Sequence, residues 1–214
     1  MNDTPQDNWF QSISNHMTTR NFKAGDIMAM QGERSEVVGY ILSGQAKAIS
    51  YSENGATTWI GYFSPEEFFG HMSLLTKAPI NFEVTAETDV TALIISTNTM
   101  RDLLSEESEL TQVLAKDLAA RLDVMTQRLV EAFTLSAKGR ICAELARLAC
   151  VIGITPEKKI IRPNPVFVDL ALRVNSTRET VSRTVSELQK KGVLSREPGA
   201  LVVENPDRLM AAIQ

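Results

Sequence analysis

Three features of the 214-residue sequence predict an α+β chain in three parts. Short apolar runs punctuated by glycine fill residues 21–95. A stretch with no glycine or proline runs from Thr97 to Phe133. Beyond it the pattern reads helix, tight corner, helix, then strand, turn, strand. The expected divisions are a β-rich unit over 1–96, a helix over 97–135 and a C-terminal unit over 136–214. A chain of this length has room for two domains, each with its own core.

In the front part, the expected strands cover residues 26–29, 37–43, 45–51, 57–63, 84–86 and 90–95. Gly25, Gly32, Gly44, Gly55, Gly61 and Gly70 separate them. Several short strands at near-regular spacing read as a small β-barrel or a jelly-roll-like sandwich. Asn54-Gly55 marks a hairpin turn, because this pair favours positive φ.

The central helix carries Thr111, Ala115, Leu118, Leu122, Met125, Leu129 and Ala132 at alternating steps of four and three. Charged residues flank them: Lys116, Asp117, Arg121, Asp123 and Arg128. This heptad seam predicts pairing with a second copy of the chain rather than packing on its own sheet alone. A second helix over 137–151 puts Ile141, Leu145, Leu148 and Ala149 on one face.

Next comes a short helix with Asn164 as its cap and Pro165 in its first turn. Val168, Leu170, Ala171, Leu172 and Val174 form its apolar body. Asn175 tolerates the left-handed backbone of a tight corner, and Ser176 or Thr177 caps the helix that follows. On that helix Val181, Val185 and Leu188 share one face. Glu179, Ser182, Arg183 and Ser186 point the other way, and Arg178 flanks the first turn. Arginine can donate two hydrogen bonds to guanine, and glutamate can accept from the amino group of cytosine. Arg178, Glu179 and Arg183 are therefore the expected base-reading residues. Ser176, Thr177, Thr180, Ser182, Lys190, Lys191 and Arg196 are the expected phosphate contacts. Residues 193–196 and 201–203, joined by a turn at 197–200, make a wing.

Charge agrees with this assignment. The whole chain has 22 Lys+Arg and 26 Asp+Glu, net −4. Residues 137–214 hold 13 and 8, net +5, whereas residues 1–136 hold 9 and 18, net −9. Phosphate contacts need the local positive sign found in the back part. No run of eighteen apolar residues exists, so no membrane span is expected. The polar, acidic N-terminus is unlike a secretory signal, and the only cysteines, Cys142 and Cys150, fit a reducing cytoplasm. Gly-rich phosphate loops, paired metal-ligand spacings and nucleophile motifs are missing from the sequence. No catalytic residue or metal site is expected; Glu66-Glu67 and Glu106-Glu107 read as solvated helix or loop ends.

The order of these parts resembles the superfamily of the cyclic-AMP receptor protein and the fumarate-nitrate reduction regulator, Crp-Fnr bacterial transcription factors. In front the resemblance rests on residues 23–28, 31–33, 39–44 and 68–70, and at the back on 135–141 and 176–183. It implies a cyclic-nucleotide-binding-like barrel, a dimerisation helix and a winged helix-turn-helix. It also implies a homodimer on two-fold double-stranded DNA, with Arg178, Glu179 and Arg183 reading TGTGA-like half-sites. RNA polymerase is an implied partner, through a loop near residues 155–159.

The implied effector pocket falls on Gly70, His71, Met72, Ile80, Asn81, Met125 and Thr126. Here the sequence departs from the family. His71 stands where nucleotide binders carry the ribose-binding glutamate, and Ile80 and Asn81 stand where they carry the phosphate-binding arginine and serine. No arginine occurs between Arg34 and Arg101. A buried phosphate without such a donor is poorly compensated, which argues against cyclic AMP as the signal. Iron–sulfur sensing needs about four cysteines, and this chain has two. Haem would have to use His71 or His16. A lone histidine in that place reads more simply as an ordinary polar residue, and a thiol sensor at Cys142 or Cys150 reads as packing. The effector is thus open: none at all, or a non-nucleotide ligand such as haem or a gas bound through it.

Overall fold

The computed structural model describes residues 8–150 and 158–213, which fall into two compact units, 1–125 and 126–214. Unit one opens with helix α1 (Asn8–Ser14). Strands β1 (Thr18–Phe22), β2 (Ile27–Ala29), β3 (Val37–Ser43), β4 (Ala46–Tyr51), β5 (Thr57–Phe63) and β6 (Phe68–Phe69) follow. Then come helix α2 (His71–Thr76), strands β7 (Glu83–Ala86) and β8 (Val90–Ser96), helix α3 (Thr97–Glu106) and the long helix α4 (Ser108–Thr134), whose last turns belong to unit two.

The strands form two antiparallel four-stranded sheets, in the orders β1-β8-β3-β6 and β2-β7-β4-β5. Among the described residues no pairing joins them, so the unit is the jelly-roll-like sandwich and not a closed barrel. Phe22, Ile41, Phe69 and Ala92 of the first sheet meet Met28, Ala48, Phe63 and Val84 of the second in one core. The first sheet is covered on its other face too. There Val38, Tyr40, Phe68 and Ile95 pack against Trp9 and Ile13 of α1, Leu74 of α2, Met100 of α3 and Leu110 and Leu114 of α4. A strand buried on both faces has no reason to alternate. Accordingly, Val38 to Ile41 are all buried, whereas β4 alternates buried with half-buried.

Three elements of this unit went unseen in the sequence. Strand β1 is polar and exposed except at Phe22, and it is held by its ladder to β8 from Thr18↔Ile94 to Phe22↔Val90. Strand β6 has two residues, and α1 lies ahead of the apolar pattern. The expectation of one unbroken helix is corrected: Glu107 is extended (φ −110°, ψ 97°) and separates α3 from α4. The Thr111 hydroxyl caps the break by donating to Leu104 O at 2.9 Å.

Leu110 and Leu114 turn inward, while Thr111, Ala115, Leu122, Met125, Leu129 and Ala132 are exposed and Leu118 is half-buried. Leu122 is 67% and Leu129 58% exposed, so the seam lies on a face that its own chain leaves uncovered.

Unit two contains α5 (Ala137–Cys150), β9 (Lys159–Ile161), α6 (Phe167–Arg173), α7 (Arg178–Lys190), β10 (Leu194–Glu197), β11 (Ala200–Val203) and α8 (Pro206–Ala211). The wing is three-stranded, ordered β10-β11-β9. Ile141 and Leu145 of α5, Leu170 of α6, Val181, Val185 and Leu188 of α7, and Leu201 and Val203 of β11 share one core. Two expectations about α6 are corrected. Its cap is Val166, not Asn164, whose N–H instead donates to Gly199 O in the wing turn at 2.9 Å. Val168 is 57% exposed and lies outside the apolar body. The expected polymerase-contact loop at 155–159 lies mostly outside the described residues.

Candidate nucleic-acid interface

Helix α7 begins because Thr177, in extended backbone, turns its side-chain oxygen onto the Thr180 N–H at 3.2 Å. Ahead of it Asn175 adopts φ 47°, the left-handed corner conformation, and Ser176 N–H donates to Ala171 O at 2.9 Å. Arg140, at the start of α5, grips this corner. Its Nε donates to Val174 O at 2.9 Å, its Nη2 to Asn175 O at 3.1 Å and its Nη1 to Leu135 O at 2.9 Å. Sequence reasoning did not single out this residue. The signal available was its place in the stretch 135–141.

On α7, Val181, Thr184, Val185 and Leu188 are buried, whereas Arg178, Glu179, Ser182, Arg183 and Ser186 are exposed. The two faces divide as the spacing predicts, with Thr184 an additional inward residue. Among the described residues neither Arg178 nor Arg183 pairs with a carboxylate, so both guanidinium forks face solvent. The Glu179 carboxyl is held below its ordinary range, first by a backbone N–H at the helix start, then by the Thr177 hydroxyl, and by both arginines. It is therefore an acceptor only.

The expected phosphate contacts are less uniform. Ser182 and Lys190 are exposed, Ser176 is half-buried, and the hydroxyls of Thr177 and Thr180 lie 3.1 Å apart. Lys191 Nζ sits 2.7 Å from Glu187, which also takes Lys138 at 2.8 Å; these two lysines pull the Glu187 carboxyl down to about 2. Arg196, on β10, lies 5.5 Å from the Phe167 ring centre and so ties the wing to α6.

The expected effector residues of unit one have diverse fates. Gly70 precedes α2 at φ 81°, where an added Cβ would collide with Val37 O. His71 is 1% exposed, with Nε2 3.5 Å from Asp117 and neither ring nitrogen hydrogen-bonded. Burial, and then the nearby Arg121 charge, push its pKa down to about 4, so the ring is neutral. The contact to Asp117 is accordingly a close approach and not an ion pair.

Arg121 on α4 lies close enough to His71 for its charge to act on the ring. It lies 3.3 Å from both Asp117 and Glu67, donates to Phe68 O at 3.4 Å, and stacks 3.9 Å from the Phe63 ring centre. The sequence showed this residue only as a charge beside the seam. Ile80 is buried in the sandwich core. Asn81 is exposed and uses its carbonyl on the Ser50 hydroxyl at 2.9 Å. Met72, Met125 and Thr126 are exposed. A cavity of about 530 Å³ is lined by Ile80, Arg20, Met28, Ala29 and Arg34, and the remaining expected pocket residues do not reach it. In unit two, burial pushes the Cys142 thiol up to about 11, so this cysteine is packing.

The neutral histidine has a measurable sign. Its folded pKa lies below the ordinary 6.5, so between the two values the unfolded chain binds more protons. Stability is expected to fall as pH drops from about 6.5 towards 4, by roughly 1.4 kcal/mol per unit of separation at most. Asp117, held above the ordinary carboxylate range by burial, acts with the opposite sign and remains in both proteins compared. The urea midpoint of the parent is expected to fall relative to that of His71→Gln as pH drops from 7 to 4.5. Parallel curves would show that His71 is not neutral.

Comparison with known proteins agrees with this layout. The family model for the cyclic nucleotide-binding domain matches residues 19–107, and that for the Crp-like helix-turn-helix domain matches residues 139–212. The chain is similar to the CRP-like cAMP-activated global transcriptional regulator of Mycobacterium tuberculosis, 22% identical over 200 residues, covering 92% of this chain and 89% of that one. Among solved structures it is similar to the c-di-GMP responsive global regulator CLP of Xanthomonas campestris (TM-score 0.81, 21% identity, 92% and 98% of the two chains). It is similar also to a CooA mutant from Carboxydothermus hydrogenoformans (TM-score 0.81, 16% identity, 95% and 90%). A sandwich that matches the cyclic nucleotide-binding domain model, a long helix and a Crp-like helix-turn-helix in one chain identify it as a member of the Crp-Fnr superfamily of DNA-binding transcription regulators.

Proposed function

We propose that the chain acts as a homodimer that reads a two-fold DNA site with TGTGA-like half-sites, and that cyclic AMP is not its signal. The division of labour is a sensor-like part over 1–96, a helical stretch over 97–135 that breaks at Glu107 and pairs through the exposed face of α4, and a reader over 136–214. The observation that carries the reading is the exposed first half of α7. There Arg178 and Arg183 are exposed, neither in an ion pair among the described residues, beside a Glu179 carboxyl held below its ordinary range. Ser176, Thr177, Thr180, Ser182, Lys190, Lys191 and Arg196 surround them as phosphate contacts. The uncovered seam of α4 supports pairing, because helix-turn-helix dimers place two readers about 34 Å apart.

Selection from a random duplex pool tests the site directly. Arg178→Ala is expected to cost about 1–3 kcal/mol on the selected duplex and to relax preference at one base pair. Equal loss on every sequence would mean that Arg178 touches phosphate only.

The M. tuberculosis relative is named for activation by cAMP and the X. campestris structure for its response to c-di-GMP. In this chain Ile80 and Asn81 offer no cation to a phosphate, and Arg121 is already engaged with Asp117, Glu67 and Phe63. Those contacts favour a second reading, in which DNA binding needs no effector. Dialysed protein then binds the selected duplex with the same affinity with and without cyclic AMP. A tightening on addition of cyclic AMP overturns both readings of the sensor. A Soret band in purified protein would instead assign haem.

A further inference from the structure

Unit two contains a carboxylate enclosed by three guanidinium groups. The Glu144 side chain on α5 is 3% exposed. Its Oε2 takes Arg128 Nη2 at 3.2 Å and Arg147 Nε at 3.0 Å, and its Oε1 faces Arg173 Nη1 at 3.5 Å. Arg147 also grips Glu131 with a two-pronged fork, at 2.7 and 3.0 Å. All four partners are at most 31% exposed. Three helices therefore converge on one point. Arg128 and Glu131 belong to the last turns of α4, Glu144 and Arg147 to α5, and Arg173 to the end of α6.

What these helices carry gives the cluster its meaning. The last turns of α4 also bear Leu129, Val130 and Phe133, which are 58%, 54% and 83% exposed. Helix α6 leads through the Asn175 corner into α7. The same cluster thus holds the piece of α4 that presents apolar side chains to a second copy and the helix pair that presents the reader to DNA. Apolar packing between the helices resists separation but is non-directional. A multi-point charged network is directional, and its forked contacts fix orientation.

We propose that Glu144 is a positioning residue for DNA reading: as the hub of Arg128, Glu131, Arg147 and Arg173 it sets the angle between the last turns of α4 and the helix-turn-helix, and so the separation of the two readers in the dimer. The inference rests on the homodimer reading above. It assigns Glu144 no contact with DNA. It makes the residue matter only where two readers must engage at once, since a small error of angle at the pivot is multiplied along α6 and α7.

The test uses the full-length protein and two duplexes derived from its own selected site, one with both half-sites and one with a single half-site. Further duplexes lengthen or shorten the spacer by one and two base pairs. For Glu144→Gln, which keeps volume but removes the charge and turns one acceptor oxygen into an N–H donor facing a guanidinium, affinity for the paired site is expected to drop about tenfold, within the range for coupled residues of one network. Affinity for the single half-site is expected to stay within about twofold, and the preference among spacers to flatten. A merely structural role lowers the active fraction and would weaken both duplexes alike. Arg173→Lys, which keeps the charge but loses the fork, is the milder second variant and is expected to shift spacer preference in the same direction.

Equal loss on the two duplexes, or no change in spacer preference in either variant, overturns the proposal. Parent protein that binds the paired site no better than the single one overturns the dimer reading and the proposal together. The two failures are therefore distinguishable.

Discussion

Phe68→Ala is expected to destabilise the N-terminal unit by about 3–5 kcal/mol, the range for truncating a large buried aromatic. Phe68 is 1% exposed and stands on the helix-covered face of the β1-β8-β3-β6 sheet. Its ring centre lies 4.9 Å from Tyr40, 6.0 Å from Trp9 and 6.4 Å from His71. The three neighbours come from a strand and two helices, so the cavity left behind cannot be closed by one side chain shifting. The two-residue strand β6 is itself paired at only two positions, Gly39↔Phe69 and Tyr40↔Phe68. Loss of the ring therefore also loosens the backbone whose carbonyl receives Arg121. Urea unfolding followed by the fluorescence of Trp9 and Trp59 is the check. A loss below about 1 kcal/mol, the range for volume-conserving swaps, would show that the site collapses without penalty.

Leu188→Ala is expected to cost the C-terminal unit about 2–5 kcal/mol. Leu188 is 2% exposed at the inner end of α7 and packs in the core with α5, α6 and the wing. Because the same helix presents Arg178, the two substitutions separate packing from reading. Leu188→Ala should lower the melting point of the DNA-binding unit and weaken all duplexes in proportion to the unfolded fraction. Arg178→Ala should leave the folding stability within about 0.5 kcal/mol of the parent, as exposed substitutions do, and change only DNA preference. A Leu188→Ala protein with an unchanged melting point would contradict the core placement of this residue.

Much of the architecture was legible in the residues. Strands β3, β4 and β5 begin and end within about a residue of where apolar runs and glycines place them, since punctuation and burial coincide there. Helix α7 was legible to the level of which side chains face inward, because its 3.6-residue period is undisturbed from Val181 to Leu188. Strand β1 was not, because Thr18, Thr19, Arg20 and Asn21 carry no apolar alternation and owe their conformation to the distant β8 ladder. The break at Glu107 was equally silent, with neither glycine nor proline to mark it. The cap of α6 was misplaced because Asn164 looks like a cap in isolation but is committed to the wing turn through Gly199.

The sensor-like unit shows the same limit in its chemistry. The sequence identified Ile80, Asn81 and His71 as departures from a nucleotide site. It did not reveal the contacts of Arg121, because they depend on Phe63, Glu67 and Phe68, more than fifty residues away in the chain. Periodicity is a local signal, and these contacts are not local.

The three N–H groups of Arg140 hold carbonyls 5, 34 and 35 residues away, so the bend between the two DNA-facing helices is encoded partly by a side chain far upstream of it. Carbonyls exist at every position whatever the side chain. Side chains at the bend can therefore change without removing the acceptors that the guanidinium uses, within what the left-handed backbone at 175 and the buried position at 174 allow.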